Sequence, residues 1–323
     1  MGRRRAADNT MLLDENRIII ETRSGSHAYG TNIESSDEDF RGIYIPTKEY
    51  FLGFAKTFEQ FEFKEPHDRV LYDIRKYFKL AVDANPNILE ICWCRDEDII
   101  RITKLGEKLR AHGELFLSKR CRFSYAGYAH SQILRIKRHK SWLLNPPKKK
   151  PERKDYGLPE NRRLVPRDWV EAISQSDLTK DENKISEVPE ELIDAARREK
   201  SFKDAMEHWQ HYSDWKETRN PKRAELEAKH FFDTKHGSHV LRLLISCIEI
   251  LEGKGLIVYR PDRDYLKAVR NGLLTYDELL EEADKLDKRA EELYQTSTLR
   301  HTPDINFLDA LCVEIVEEEL NIK

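Results

Sequence analysis

The first apolar run of the chain, Ile18-Ile19-Ile20 within residues 17–22, is β-branched and of strand length. Residues 24–36 are rich in Gly, Ser and Asn and predict a loop with room for one short helical turn. A second strand is predicted over residues 39–45, stopped by Pro46. Residues 57–63 alternate apolar and polar with period two, which predicts a half-buried strand, and residues 68–72 predict one more short strand. From Asp73 the period becomes helical, with Ile74, Tyr77, Phe78, Ala81 and Val82 on one face. Asn85-Pro86-Asn87 breaks that helix, and residues 88–93 open another.

Beyond residue 100 the pattern predicts helices throughout. Residues 123–144 form a long amphipathic segment that ends at Asn145-Pro146-Pro147, and residues 148–186 are polar and punctuated by prolines, as an inserted loop would be. Residues 189–218 predict a charged helix, and residues 231–251 a strongly apolar one ending at Gly253 or Gly255. Asn271-Gly272 reads as a helix stop, and Thr275-Tyr276-Asp277-Glu278 as a capping box that opens the next helix. No repeat of fixed period is present. The expectation is an α+β protein: a small mixed-sheet catalytic domain over 1–100, then a helical domain over 101–323 with a polar, basic insert near 145–220.

Charge changes that picture in one region. The formal net charge is -3, yet residues 119–163 hold fourteen Lys/Arg against three Asp/Glu. Such a belt either faces a polyanion or is a solvated linker, with Lys148-Lys149-Lys150 lying among prolines. Five cysteines without a CxxC pair fit a reducing compartment. The basic start of the chain has no apolar signal core behind it, and residues 241–251 are too short to span a bilayer and carry Arg242 and Glu249. The expectation is a soluble, cytoplasmic protein with no membrane partner.

The candidate chemistry lies in Gly25-Ser26-His27-Ala28-Tyr29-Gly30 followed by Ser36-Asp37-Glu38-Asp39-Phe40-Arg41-Gly42. If Asp37 and Asp39 lie on a strand, alternation puts both carboxylates on one face, where paired oxygens suit a hard cation such as Mg²⁺ (or Mn²⁺). Glycine lets a backbone approach phosphate closely, and successive N–H groups with the Ser26 hydroxyl can cradle a triphosphate. His27 either donates to a phosphate or satisfies loop carbonyls, and Arg41 pairs with Asp37, Asp39 or substrate. A second cationic group, Lys235, His239 and Arg242, has the i, i+4, i+7 spacing of one helical face. That face can grip a triphosphate or nucleic-acid phosphate, or be merely solvated. Asp233, His236 and His239 also have the residue types of a transition-metal site, which the adjacent Lys235 and Arg242 disfavour. Tyr125, Tyr128, His130, Gln132, Arg135 and Arg138 interleave aromatic and basic residues, as RNA-contacting helices and ordinary amphipathic helices both do. Walker A, G-x-G-x-x-G, G-x-S-x-G and HExxH patterns are absent.

Gly-Ser, a spacer and Asp-x-Asp at the head of a strand resemble the DNA polymerase β-type nucleotidyltransferase superfamily. The longer string resembles the RNA repair pathway polymerase-β-like family, which includes phage-encoded members. Tyr72-Asp73-Ile74-Arg75-Lys76-Tyr77-Phe78, Asn85-Pro86-Asn87-Ile88-Leu89-Glu90 and Lys235-His236 to Arg242-Leu243-Leu244 continue the likeness. The resemblance implies transfer of a nucleoside monophosphate from an NTP to an RNA end, a damaged tRNA among the candidates, with pyrophosphate released. It also implies a third metal carboxylate from a neighbouring strand. Asp68 is the favoured candidate beside Glu62 and Asp73. One departure is Glu38, where the superfamily usually has an aliphatic residue. Two rivals remain: nucleotidylation of a protein, and a non-enzymatic RNA-binding protein that keeps the fold.

Overall fold

The structure, a computed structural model, describes residues 13–34, 36–175, 189–219 and 221–321. Five strands form one sheet in the order β3-β4-β2-β1-β5. They are β1 (Ile18–Ser24), β2 (Asp39–Tyr44), β3 (Gln60–Phe63), β4 (Asp68–Asp73) and β5 (Ile99–Ile102). β2 and β4 run parallel and the other neighbours antiparallel, so the sheet is mixed. The fold is α+β, as the pattern predicts.

The helices that serve the sheet follow from local signals. α1 (Gly25–Tyr29) is a single short turn closed by Gly30 in the left-handed region. α2 (Glu49–Leu52) is equally short. α3 (Ile74–Val82) starts where the Asp73 carboxylate accepts from the Arg75 N–H, and α4 (Pro86–Trp93) starts with Asn85 accepting from the Asn87 N–H. α5 (Lys104–Ala111) is capped by Thr103, and α6 (Cys121–Leu144) follows. Near the carboxy end, Asp233 caps the helix Thr234–Leu251 and the Thr275–Glu278 capping box opens Tyr276–Thr296.

β5 is a strand the sequence reading does not predict, and it reaches past residue 100, where only helices are expected. Ile99-Ile100-Arg101-Ile102 is a four-residue stretch with three isoleucines, and at that length strand and helix look alike. Antiparallel pairing with Ile20, Glu21 and Thr22 of β1 decides the matter. β3 is shorter than predicted, since only residues 60–63 find partners on β4.

The chain divides into two compact units, residues 1–137 with 232–323 and residues 138–231, rather than at residue 100. In the first unit one continuous core joins Ile20 and Ile43 of the sheet to Tyr77, Leu89 and Tyr125, and to Leu241, Leu244, Leu279 and Leu308 of the later helices. Sheet and carboxy-terminal helices bury each other's apolar surface, which is why they form one unit. The other face of the sheet carries a smaller cluster, Ile18, Tyr44 and Leu71 under Phe58, Phe61 and Phe63. Tyr125 and Gln132 of α6 are buried, so the aromatic-basic stripe read from that helix is partly core.

The second unit holds helices Arg167–Gln175, Glu190–Thr218 and Pro221–His230. Its apolar centre is Val165, Val170, Ala195 and Ala196, and Trp142 lies buried among His139, Tyr212 and Trp215. The stretch read as a loop therefore contains a helix and a short 3₁₀ turn, Arg153–Tyr156; residues 176–188 lie outside the described residues. Part of the positive belt is locally neutralised. Arg153 pairs with Glu199 at 2.6 Å and Lys149 with Asp155 at 2.7 Å, while Arg122 of the first unit meets Asp287 and Glu291 at 3.0 Å each.

Among the described residues no helix is long and apolar enough to cross a membrane.

Candidate functional site

β1 ends at Ser24 and the chain turns at once into α1 through Gly25, whose φ is +64°. Only glycine takes that region at little cost. A second constraint acts at the same atom: a Cβ on Gly25 would stand 2.3 Å from Asp39 Oδ2. The turn and the Asp39 carboxylate are thus in direct contact. Asp39 is the first residue of β2 and lies opposite Ser24 in the sheet. The turn is then closed by backbone: Gly30 N–H donates to His27 O at 3.1 Å and Thr31 N–H to Ser26 O at 2.9 Å. Ser26 is half-buried, and His27 donates through Nε2 to Ser36 O at 3.4 Å.

Gly25→Ala is expected to cost about 1–2 kcal/mol of stability from the left-handed backbone alone. The added methyl must also displace Asp39, so the loss is expected to exceed the backbone cost. Thermal melts check this; an alanine variant that melts with wild type would show that the turn and Asp39 are not in contact.

Asp68 opens β4 and pairs in register with Asp39 on the parallel neighbour. Three positions thus lie side by side across the sheet: Ser24, Asp39 and Asp68. Arg41, two residues on from Asp39, donates to Asp68 Oδ1 at 3.4 Å and Oδ2 at 3.3 Å. The other two candidates for a third carboxylate sit elsewhere. Asp73 is buried and spent on capping α3 and on Arg75, with Nη2 to Oδ2 at 2.7 Å. Glu62 is exposed on edge strand β3 and accepts from Gln60.

Asp37 lies outside any strand, in the segment leading into β2, and is exposed. It is still close enough to act on Asp39. Burial pushes the Asp39 carboxyl above its ordinary pKa, Asp68 and Asp37 push the same way, and the Arg41 and Lys235 cations oppose them. Glu38 turns to the other side of the chain, with Oε1 3.5 Å from Arg23 Nε. That contact explains how a charged residue is tolerated between the two aspartates. Among the described residues, no three His, Cys, Asp or Glu side chains already converge as a metal cluster. The donor set around Asp39 is nevertheless all carboxylate oxygen, which suits a hard divalent ion.

The helix Thr234–Leu251 brings the second group. Lys235 lies in its first turn, exposed, and its charge reaches Asp39. His239 is half-buried, and Arg242 is 4% exposed. Arg242 donates through Nη1 to Glu90 Oε1 at 2.9 Å and lies 3.8 Å over the Tyr29 ring. Its Nη2 also meets His239 Nδ1 at 3.2 Å. A guanidinium only donates, so Nδ1 accepts and the His239 proton sits on Nε2. Burial, then the Arg242, His236 and Lys235 charges, hold the His239 pKa well below its ordinary value, so the ring is neutral. Asp233 accepts from the His236 N–H at 3.1 Å as the helix cap, which gives it a structural role. The i, i+4, i+7 face is therefore graded, from Lys235 at the surface to Arg242 in the core.

Residues 5–150 match the family model of RlaP, the RNA repair pathway DNA polymerase beta family. The likeness carried by the Gly-Ser and Asp-x-Asp strings is thereby shown for that stretch, which contains the turn, Asp37, Asp39, Asp68 and Glu90. An Enterobacteria phage T4 protein, "Uncharacterized 38.9 kDa protein in nrdC-mobD intergenic region", is 25% identical over 127 residues, 36% of this chain and 38% of its own length. "Uncharacterized protein YcgL" of Bacillus subtilis (strain 168) is 33% identical over 78 residues, 23% of this chain and 29% of its own. The chain thus spans well under half the length of these curated relatives. No solved structure matches it. The helix carrying Lys235, His239 and Arg242 lies outside the RlaP match.

Tyr29 and Glu90 fall within the strings that carry the resemblance, but the sequence reading gives neither of them a role. Glu90 had a signal: an acid in the middle of the apolar run Ile88-Leu89-Glu90-Ile91-Cys92-Trp93, where a charge is unfavourable without a partner.

Proposed function

We propose that the chain is a nucleotidyltransferase that moves a nucleoside monophosphate from an NTP to an RNA end, a tRNA end among the candidates, and releases pyrophosphate. The observation that carries this reading is the contact of Asp39 with the Gly25 turn, in register with Asp68. It sets a carboxylate group beside a glycine bend at the start of a helical turn. The RlaP match over the same residues supports the polymerase-β type of chemistry.

In this reading the residues divide the work. The Gly25-Ser26 turn receives the triphosphate through backbone N–H groups and the Ser26 hydroxyl, with His27 at its edge. Lys235 adds a cation on the same side as Asp39. The neutral His239 offers its Nε2–H as a hydrogen-bond donor. Asp37 and Asp39 would hold Mg²⁺ (or Mn²⁺), and Asp68 would join them once released from Arg41. Bound there, the ion neutralises phosphate charge and makes the acceptor hydroxyl a better nucleophile. Asp68, as the third carboxylate, would help take the proton from that hydroxyl.

Incubation with each α-³²P-NTP, Mg²⁺ and either RNA or cell protein tests the proposal. Label is expected in RNA. Label entering protein alone ends the RNA acceptor, and no transfer with any NTP ends the enzyme reading.

A further inference from the structure

Glu90 lies in the interior of α4, 5% exposed, and both its oxygens are taken. Oε2 accepts from the Tyr29 hydroxyl at 2.6 Å, and Oε1 accepts from Arg242 at 2.9 Å. Tyr29 is the last residue of α1, the turn that begins at Gly25. Arg242 belongs to the helix that carries Lys235 and His239, and its guanidinium also covers the Tyr29 ring at 3.8 Å. One buried carboxylate therefore joins the two elements assigned to the triphosphate, which come from opposite ends of the chain. Burial pushes the Tyr29 hydroxyl well above its ordinary pKa, so it remains a donor.

The end of the turn is held again at the next residues. Arg260 N–H donates to Tyr29 O at 3.1 Å, and Tyr259 packs so closely on Gly30 that a Cβ there would meet its ring at 2.6 Å. Those backbone and ring contacts fix where the turn's end lies. The Tyr29–Glu90–Arg242 chain reaches on to His239 through Arg242 Nη2, while the Tyr128 ring packs edge-on against the same imidazole. The Arg242 contact thereby sets which nitrogen of that imidazole carries the proton.

We propose that Glu90 is a positioning residue for nucleotide binding: it locks Tyr29 of the Gly-Ser turn to Arg242, and through Arg242 it fixes the tautomer and orientation of His239. The proposal rests on the nucleotidyltransferase reading above and adds the device that aligns its two phosphate-binding elements. Arg242 then acts from behind the site and never touches the triphosphate. The cost of a buried ion pair fits such a role, since a pair of this kind gives uniqueness of geometry more readily than stability.

The test uses three variants of the full chain, assayed well below their melting temperatures with a non-hydrolysable NTP and Mg²⁺ for affinity and the matching NTP for turnover. Glu90→Gln keeps the shape but cannot serve a cation and a hydroxyl equally, and it risks misfolding. Tyr29→Phe removes one hydroxyl and keeps the ring under Arg242. Tyr77→Phe is the control: a buried tyrosine that loses its contact with Cys92 Sγ at 3.0 Å and has no link to the turn. Tyr29→Phe is expected to raise KM and the analogue Kd about tenfold, as one charge-assisted hydrogen bond would, with kcat changed less than about twofold. ¹⁵N NMR of His239 is expected to show the Nε2–H tautomer in wild type and a mixture of tautomers in Glu90→Gln. Tyr77→Phe is expected to lower the melting temperature with KM unchanged. If Tyr29→Phe loses melting temperature like the control and keeps wild-type KM and Kd, Glu90 is only a core residue and the proposal is overturned. If wild type itself binds no NTP, the nucleotidyltransferase reading falls, and the proposal falls with it.

Discussion

Asp39→Asn is expected to cut transfer by on the order of 10³-fold while raising the melting temperature of the metal-free chain. The first part follows from the role proposed for Asp39, a metal-holding carboxylate in nucleotidyl transfer, worth several kcal/mol of barrier at about 1.4 kcal/mol per tenfold. The second follows from electrostatics. Burial and the neighbours Asp68 and Asp37 raise the Asp39 pKa in the fold. A carboxyl with a raised folded pKa stabilises the fold below its unfolded pKa, and that contribution is lost as pH rises through the folded value. At neutral pH the ionised group therefore opposes folding, and the amide removes the opposition. A bound ion reverses the order: at a hundredfold excess over its Kd, a divalent cation adds about 2.7 kcal/mol to wild type and little to the variant. Melting curves in EDTA and in Mg²⁺, beside single-turnover rates, read both effects. A variant that melts lower than wild type in EDTA would falsify the electrostatic account of this site.

A strained, charge-crowded site of this kind is legible in the sequence only where its cause is local, and the fold behaves likewise. The strands of the sheet are visible because β-branched runs and period-two alternation fit a pleated, half-buried strand and little else, and β1, β2 and β4 appear within two residues of their predicted places. The caps at Asp73, Asn85, Asp233 and Thr275 are visible because their mechanism is local. β5 is not, because so short a stretch, three isoleucines and an arginine, becomes a strand only when β1 lies beside it. The candidate site divides the same way. Gly25, Asp37 and Asp39 are close in sequence and carry a recognisable string. Asp68 could be named only as a carboxylate on a neighbouring strand, and parallel pairing of β4 with β2 places it at Asp39.

The pairing of distant residues was not legible in the sequence. Glu90 and Arg242 are 152 residues apart, and Glu90 and Tyr29 are 61 apart. Helical periodicity sets Lys235, His239 and Arg242 along one direction, but it says nothing of depth. The structure shows that depth changes the chemistry: an exposed lysine, a neutral half-buried imidazole and a buried guanidinium are three different tools. The basic belt gives the opposite lesson. A formal count treats every Lys and Arg as free, whereas Arg122, Lys149 and Arg153 already face carboxylates.

The buried pair supplies the second large effect. Arg242→Met leaves Glu90 as an anion in the core with the Tyr29 hydroxyl its one remaining hydrogen-bond donor among these three residues. Breaking a buried ion pair from one side costs about 3–5 kcal/mol, because the surviving charge has lost its compensation. For a cooperative unit of this size, that is a fall in melting temperature of roughly 6–20 °C. Adding Glu90→Met to Arg242→Met replaces the stranded charge with apolar volume and is expected to recover most of the loss, since apolar replacements of buried pairs are often neutral or better. Nucleotide affinity should not recover with it. The double variant has no acceptor for the Tyr29 hydroxyl and no donor to hold His239 Nδ1, so the turn and the helix are packed but no longer registered to each other. Calorimetry and NTP-analogue titration on the two variants separate these consequences. Stability and affinity returning together would mean that the core needs only volume at this point, and that Arg242 aligns nothing.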